Sequence, residues 1–259
     1  NEEDVILETL ECIEELDYPK KEVIVVDNGS EDSTFKQVAE FSLDRDIEVV
    51  SEEEGGKSTA INTGLDFCNG DLVFVLDADS RPEKGVLKKM AGYFEQDEDV
   101  MAVVPTLKAD SPSKIVEKIQ AIEYVVTAFM RKILSFISSL NVTPGASMYR
   151  KEFFEKYGGF DDSTLTEDLE MGMRIQDKGY RVEHAIDAVV DTKVPPSFSD
   201  LKRQRVRWGF GKFEIIPKYL HMFSRDHGEL GMFYLPSVIL VSLMPAVLFV
   251  YIAYQALSN

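Results

Sequence analysis

Cysteine, histidine and tryptophan are scarce in this chain, at two, three and one residue in 259. Cys12 and Cys68 make no disulfide framework, and that usage fits a reducing compartment. Both read as packing residues, one near an apolar helical stripe and one near a helix end. His184, His221 and His227 share no ligand spacing, which argues against a zinc site or a Ser/His/Asp triad. Basic residues are outnumbered too: 28 Lys and Arg face 46 Asp and Glu, for a net charge of −18. Phosphate backbones are met with Lys and Arg, so this balance argues against a nucleic-acid binder. The acidic surface reads as solvated, and an anionic ligand would need local cations or a metal ion.

Long runs that are both uncharged and predominantly apolar are absent except for one. Phe233–Tyr254 carries no charge and has about the length that a bilayer core of roughly 30 Å requires of a helix. The expectation is a C-terminal transmembrane helix at 233–254, with further spans beyond it. Arg203, Arg205, Arg207, Lys212, Lys218 and Arg225 precede it, which places residues 1–232 on the cytosolic side of a cell membrane.

What is present is an alternation of helix and strand patterns. Ile6, Leu10, Ile13 and Leu16 recur at helical spacing, and Glu22 to Val26 reads as a strand buried on both faces. Helices near 34–42, 58–68 and 83–95 alternate with strands at 47–51, 72–76 and 100–107. That order implies an α/β fold with a parallel sheet, whose ligands bind beyond the carboxyl ends of the strands. The second half reads as a long helix over 113–140, a break at Thr143-Pro144-Gly145, a helix from Glu167, strand at 180–191 and amphipathic helix over 198–223.

Several short motifs bear chemistry. Asp27, in Val26-Asp27-Asn28-Gly29-Ser30, follows a strand, and Gly29 permits a tight turn near a ligand; a plain Asp-Asn-Gly turn is the competing reading. Gly55-Gly56-Lys57-Ser58 is no P-loop, because Ser51 stands where the pattern needs glycine and three glutamates fill 52–54. Asp77-Ala78-Asp79 puts two carboxylates on one side of an extended segment. Two hard oxygen ligands leave Mg²⁺ or Mn²⁺ with open positions for diphosphate and water. Thr166-Glu167-Asp168 opens a helix, where Thr166 suits an N-cap and the helix dipole keeps Asp168 ionised. Gln204, Arg207 and Trp208 share a helical face; Arg207 can pair with a diphosphate, and the indole can stack on a sugar. A basic helix at a membrane surface is the plain alternative.

In this order the motifs resemble the inverting family 2 glycosyltransferases, above all the processive membrane synthases of cellulose, chitin, hyaluronan and poly-N-acetylglucosamine. The resemblance implies a GT-A, Rossmann-like nucleotide-sugar-binding domain over 1–225. Its opening strand, which in the family ends in Pro-x-Tyr-Asn-Glu, is missing ahead of Asn1, so the chain is expected to be a fragment. By resemblance Asp27 contacts the uracil base, and Lys57, in a Gly-Gly-Lys-x-x-Ala-x-Asn element, helps hold the diphosphate. Asp79 is then the surer metal ligand, with Asp77 sharing metal or ribose contacts, and Asp168 is the general base. Gln204, Arg207 and Trp208 form the Gln-x-x-Arg-Trp element of polymerising members, with Trp208 at the acceptor terminus. Gly145 and Arg150 lie in a segment that resembles the one below the acceptor site, or in an ordinary strand. The implied partners are a UDP-sugar donor, a polysaccharide acceptor and the membrane. Single transfer to a lipid or glycan, and a non-catalytic nucleotide-binding scaffold, are the alternatives.

Overall fold

The computed structural model describes residues 1–258, and within the last helix the side chains at 245–247, 249–250, 252–253 and 256–258 lie outside the described set. Helix α1 (Ile6–Glu14) leads into β1 (Val23–Asn28), α2 (Thr34–Ser42), β2 (Ile47–Glu52) and α3 (Lys57–Phe67). Then come β3 (Leu72–Phe74), β4 (Ser80–Pro82), α4 (Val86–Gln96), β5 (Val100–Ala109) and α5 (Ile115–Phe136). The remainder holds β6 (Met148–Arg150), α6 (Lys151–Tyr157), α7 (Glu167–Asp177), β7 (Arg181–Thr192), α8 (Phe198–Lys218) and α9 (Leu235–Ser258).

The predicted alternation holds, but the single parallel sheet does not form. β1 and β2 make a separate parallel pair, and β3-β6-β5-β7-β4 make a mixed sheet in which only β5 and β7 run parallel. The mixed character of the larger sheet comes from two short strands, β4 and β6, that pair antiparallel with their neighbours. An apolar groove of about 1050 Å³ lies between the two sheets, with Val23–Val26 on one wall and Leu72–Leu76 on the other.

Two hydrophobic cores flank the five-stranded sheet. On one face α4 lays down Val86, Leu87, Met90, Ala91 and Phe94, one stripe at helical spacing, against Val100, Val103, Ala185 and Val190. On the other face Tyr149, Phe153, Phe154 and Phe160 form an aromatic cluster with Met171 and Ile175 of α7. Tyr149 meets Phe160 edge-on, with ring centroids 5.6 Å apart. These cores anchor β6 and α7, and so fix the loops between them at the carboxyl side of β3.

The C-terminal expectation is only partly covered by the described residues. The uncharged run begins in a π-helical stretch, Leu230–Tyr234, before continuing as α9. Part of the expected span at 233–254 lies outside the described residues, and among the described residues no helix is long and apolar enough to cross a membrane.

Candidate active site

Asp77 and Asp79 lie in the loop between β3 and β4, just beyond a strand whose backbone pairs with β6. Gly145 sits directly against the Asp77 carboxylate, and a Cβ there would collide with it. A side chain at 145 would displace that carboxylate, so the glycine lets the 143–147 loop pack against Asp77. On the opposite side, Lys57 Nζ reaches Asp77 Oδ1 at 2.5 Å and Glu167 Oε1 at 3.4 Å. One ammonium thus ties the Asp-x-Asp loop to the first turn of α7. Burial pushes the Lys57 pKa down, but Asp77 and Glu167 outweigh it, and the ammonium is held charged above the usual lysine range.

Lys57 stands at the first position of α3 behind Gly56, which adopts φ +138° as the N-cap. The same helix carries Asn62, whose side chain donates to Phe160 O at 2.8 Å and accepts from Phe160 N at 2.7 Å. Asn62 of the Gly-Gly-Lys-x-x-Ala-x-Asn element therefore holds the loop that leads into Thr166. Lys57, half-exposed at the helix start, is held by this bridged ion pair.

Asp168 lies in the same first turn and is half-buried. Its carboxylate accepts from Leu169 N at 2.8 Å, and its carbonyl accepts from Thr143 N and Oγ1 at 3.0 and 2.9 Å. The helix terminus, expected to favour its ionised form, is opposed by its surroundings. Burial and the neighbouring Glu167 charge raise its pKa, against the opposing pulls of Leu169 N–H, Lys57 and Arg207. Burial, followed by the Asp77 charge, likewise raises the pKa of Asp79.

Thr166 does not cap α7 through its side chain. Its hydroxyl is buried without a hydrogen bond, facing Gly211 of α8, where a Cβ would overlap it. That close approach seats α8 across α7. Arg207 Nη1 donates to Leu165 O at 3.3 Å, Glu214 accepts from Leu165 N at 3.1 Å, and Lys218 pairs with Asp161 at 3.1 Å. Lower down, Tyr219 donates to Glu170 at 2.8 Å. The predicted basic helix thus lies over the loop before Asp168 and brings Arg207 within electrostatic reach of it. Trp208 lies beside Arg205, whose guanidinium sits 4.5 Å from the ring centroid.

Not every expected residue joins the cluster. Asp27 is at the carboxyl end of β1, where its carboxylate accepts from Ser30 N at 3.2 Å within its own turn, and Gly29 takes φ +65°. Arg150 donates to the carbonyls of Phe94, Val100 and Asp97 at 2.5, 2.9 and 3.2 Å, which is strand support rather than site chemistry. Glu167, the residue that receives Lys57, was missed by the sequence reading; its only signal was its place between Thr166 and Asp168. The two carboxylates of the Asp-x-Asp loop fit a divalent cation that takes its other oxygens from diphosphate and water, as Mg²⁺ does. Among the described residues no group of three or more His, Cys, Asp or Glu gathers to hold an ion alone.

A mixed α/β sheet with an Asp-x-Asp loop just beyond β3 is the arrangement of a GT-A-like glycosyltransferase. A model of "Glycosyl transferase family 2" matches residues 1–158, and the chain belongs to that family. Poly-β-1,6-N-acetyl-D-glucosamine synthase of Staphylococcus aureus strain MSSA476 is 30% identical over 219 residues, covering 83% of this chain and 53% of that protein. The Staphylococcus epidermidis synthase is 28% identical over the same length. The chain spans about half the length of these curated relatives. Among solved structures, the mannosyltransferase PcManGT of Pyrobaculum calidifontis, in complex with GDP-Man and Mn²⁺, aligns at TM-score 0.70 and 27% identity, covering 85% of this chain and 61% of its own. TarS of S. aureus in complex with UDP-GlcNAc aligns at TM-score 0.56 and 19% identity, covering 77% and 57%, a likeness of fold.

Proposed function

We propose that this glycosyltransferase is inverting and builds a β-linked polysaccharide from a UDP-sugar, UDP-N-acetylglucosamine or UDP-glucose. The observation that carries the reading is the Asp77–Lys57–Glu167 bridge, which joins the Asp-x-Asp loop to the turn that bears Asp168. The relatives' name, a poly-N-acetylglucosamine synthase, favours the first donor.

In this reading Asp168 accepts the proton of the acceptor hydroxyl while that oxygen attacks the anomeric carbon. The bond from that carbon to the diphosphate oxygen breaks in the same displacement, so an α-linked donor yields a β-linkage and UDP departs. Lys57 commits two of its three N–H donors to Asp77 and Glu167 and has one left for the diphosphate. Arg207 uses one nitrogen on Leu165 O and turns its remaining donors toward the same charge. Asp79, with Asp77, would hold Mg²⁺ or Mn²⁺, which when bound supplies Lewis-acid neutralisation of the leaving diphosphate. Asp27 would read the uracil imide from the end of β1, and Gln204 and Trp208 would receive the acceptor end.

A membrane location is part of the proposal. Its support is the uncharged run at 233–254 together with exposed apolar side chains on α5, α8 and α9, including Phe129, Phe210 and Leu240. Residues 1–225 would form the transferase domain at the cytosolic face. Single transfer to one acceptor is the second reading, favoured by the likeness to a mannosyltransferase. Product length in a donor-only incubation separates the two: long chains support polymerisation, and single additions reject it.

Calorimetric titration of UDP tests the site itself. Affinity is expected to fall by roughly tenfold or more in EDTA, and similarly in Asp79→Asn with Mn²⁺ present. Equal UDP affinity with and without EDTA would remove the metal role from Asp79.

A further inference from the structure

Trp208 does not present both faces of its ring. Arg205 lies one helical turn before it on α8, and its guanidinium sits 4.5 Å from the indole centroid. The position of Arg205 is not left to its own rotamers. Its Nη2 is paired with the Glu123 carboxylate, which comes from α5, 82 residues earlier in the chain. A planar guanidinium that is both stacked on an aromatic face and held at its edge by a carboxylate has two of its geometric freedoms removed.

Two further contacts show how α8 is held. At its start, the Gln120 amide of α5 donates to Pro195 O at 2.9 Å, just ahead of the helix. Gly211 presses on Thr166 in its second half. Glu123 lies one turn beyond Gln120 on α5, so Glu123–Arg205 ties α8 to α5 between those two points. Both partners are half-exposed, so the pair alone is worth little in water. Its effect is directional: it decides where the guanidinium lies on the ring.

We propose that Glu123 and Arg205 are positioning residues for the acceptor: Glu123 clamps Arg205 onto one face of Trp208, so that a sugar ring stacks only on the other. This rests on the assignment of Trp208 to the acceptor end. The clamp makes the platform one-sided, so an incoming glycan meets the indole in one orientation rather than two. It also fixes the plane of the ring, which lowers the ordering cost of stacking.

Trp208 is the single tryptophan of the chain, so tryptophan emission reports on the surroundings of this one ring. The full chain, Glu123→Gln, Arg205→Gln and the double variant are compared by emission spectrum. They are also titrated with a short β-linked N-acetylglucosamine oligomer and, by calorimetry, with UDP. Each single variant is expected to change the Trp208 emission, and the double variant to change it no further, because either substitution opens the same clamp. Half-saturation by the oligomer is expected to rise about 2- to 5-fold, the size of an exposed cation–π contact, with UDP binding unchanged. Raising salt to about 1 M should move the parent emission toward that of Glu123→Gln and leave the variant still. Unchanged emission in either single variant, or a double variant whose change is the sum of the two, would overturn the clamp. An oligomer that fails to bind the parent would reject Trp208 as acceptor platform, while the emission spectra still decide the clamp on their own.

Discussion

Asp168 occupies a first helical turn, where the dipole and the Leu169 N–H favour its charged form, yet burial and Glu167 raise its pKa. A terminal dipole contributes typically about 0.3–1 kcal/mol near a surface toward the charged form, while removal from water and the like charge of Glu167 act in the opposite sense. For the proposed base the sign follows directly. A raised pKa means that Asp168 keeps its proton at a pH where an ordinary aspartate, near ~3.9, has lost it. Transfer should therefore fail as pH drops through a limb that lies above that value. Glu167→Gln removes the adjacent negative charge and should move the limb to lower pH. The pH profile of kcat/KM for UDP release checks this; a limb that stays in place, or moves upward, would remove Glu167 from the account. The acid itself was legible in Thr-Glu-Asp, but its burial was not, since the residues that cover it come from distant parts of the chain.

At the scale of elements, most helices and strands were legible because their apolar periods are regular. α4, β5 and α8 fall close to the expected ranges. The short strand β4 was not, and β6 was legible only as the ordinary-strand alternative for the Gly145–Arg150 segment, because both form by pairing with β7, β5 and β3. The cap expected of Thr166 failed for a similar reason: its neighbour Gly211 is far away in sequence. Exposure was also hidden. On α5, Ile115, Ile119, Ile122, Val126, Phe129, Ile133 and Phe136 recur at alternating steps of four and three and all remain exposed. Val206, Phe210 and Phe213 form a parallel case on α8. Such stripes normally cover a core, so their exposure marks a surface to be covered by something apolar. If that cover is a bilayer, the full chain floats with phosphatidylcholine vesicles, and Phe129→Asp with Phe210→Asp reduces the floated fraction severalfold. Equal flotation of parent and double variant would exclude these two faces.

For the whole molecule, the alternating strand–helix order pointed to an α/β fold, and the order of motifs to a resemblance with family 2 that implied the GT-A class. What it did not convey is that the sheet divides. Hydrophobic runs identify strands, but which edges pair is set in three dimensions, here leaving β1–β2 apart from the five-stranded sheet. The site straddles that division. Lys57 belongs to α3, which packs on β1 and β2, while Asp77 and Glu167 belong to elements of the larger sheet. Their ion pairs therefore join the two halves at the point where the donor is proposed to bind. The central claim is that this junction performs glycosyl transfer with Asp168 as its base. The most direct measurement is UDP release from UDP-N-acetylglucosamine and UDP-glucose by the full chain in vesicles with Mn²⁺ and acceptor, beside Asp168→Asn at matched UDP occupancy. The account predicts turnover of one donor by the parent and a loss of about 10²- to 10⁴-fold in the variant, with UDP affinity retained. Release by Asp168→Asn at the parent rate would contradict it.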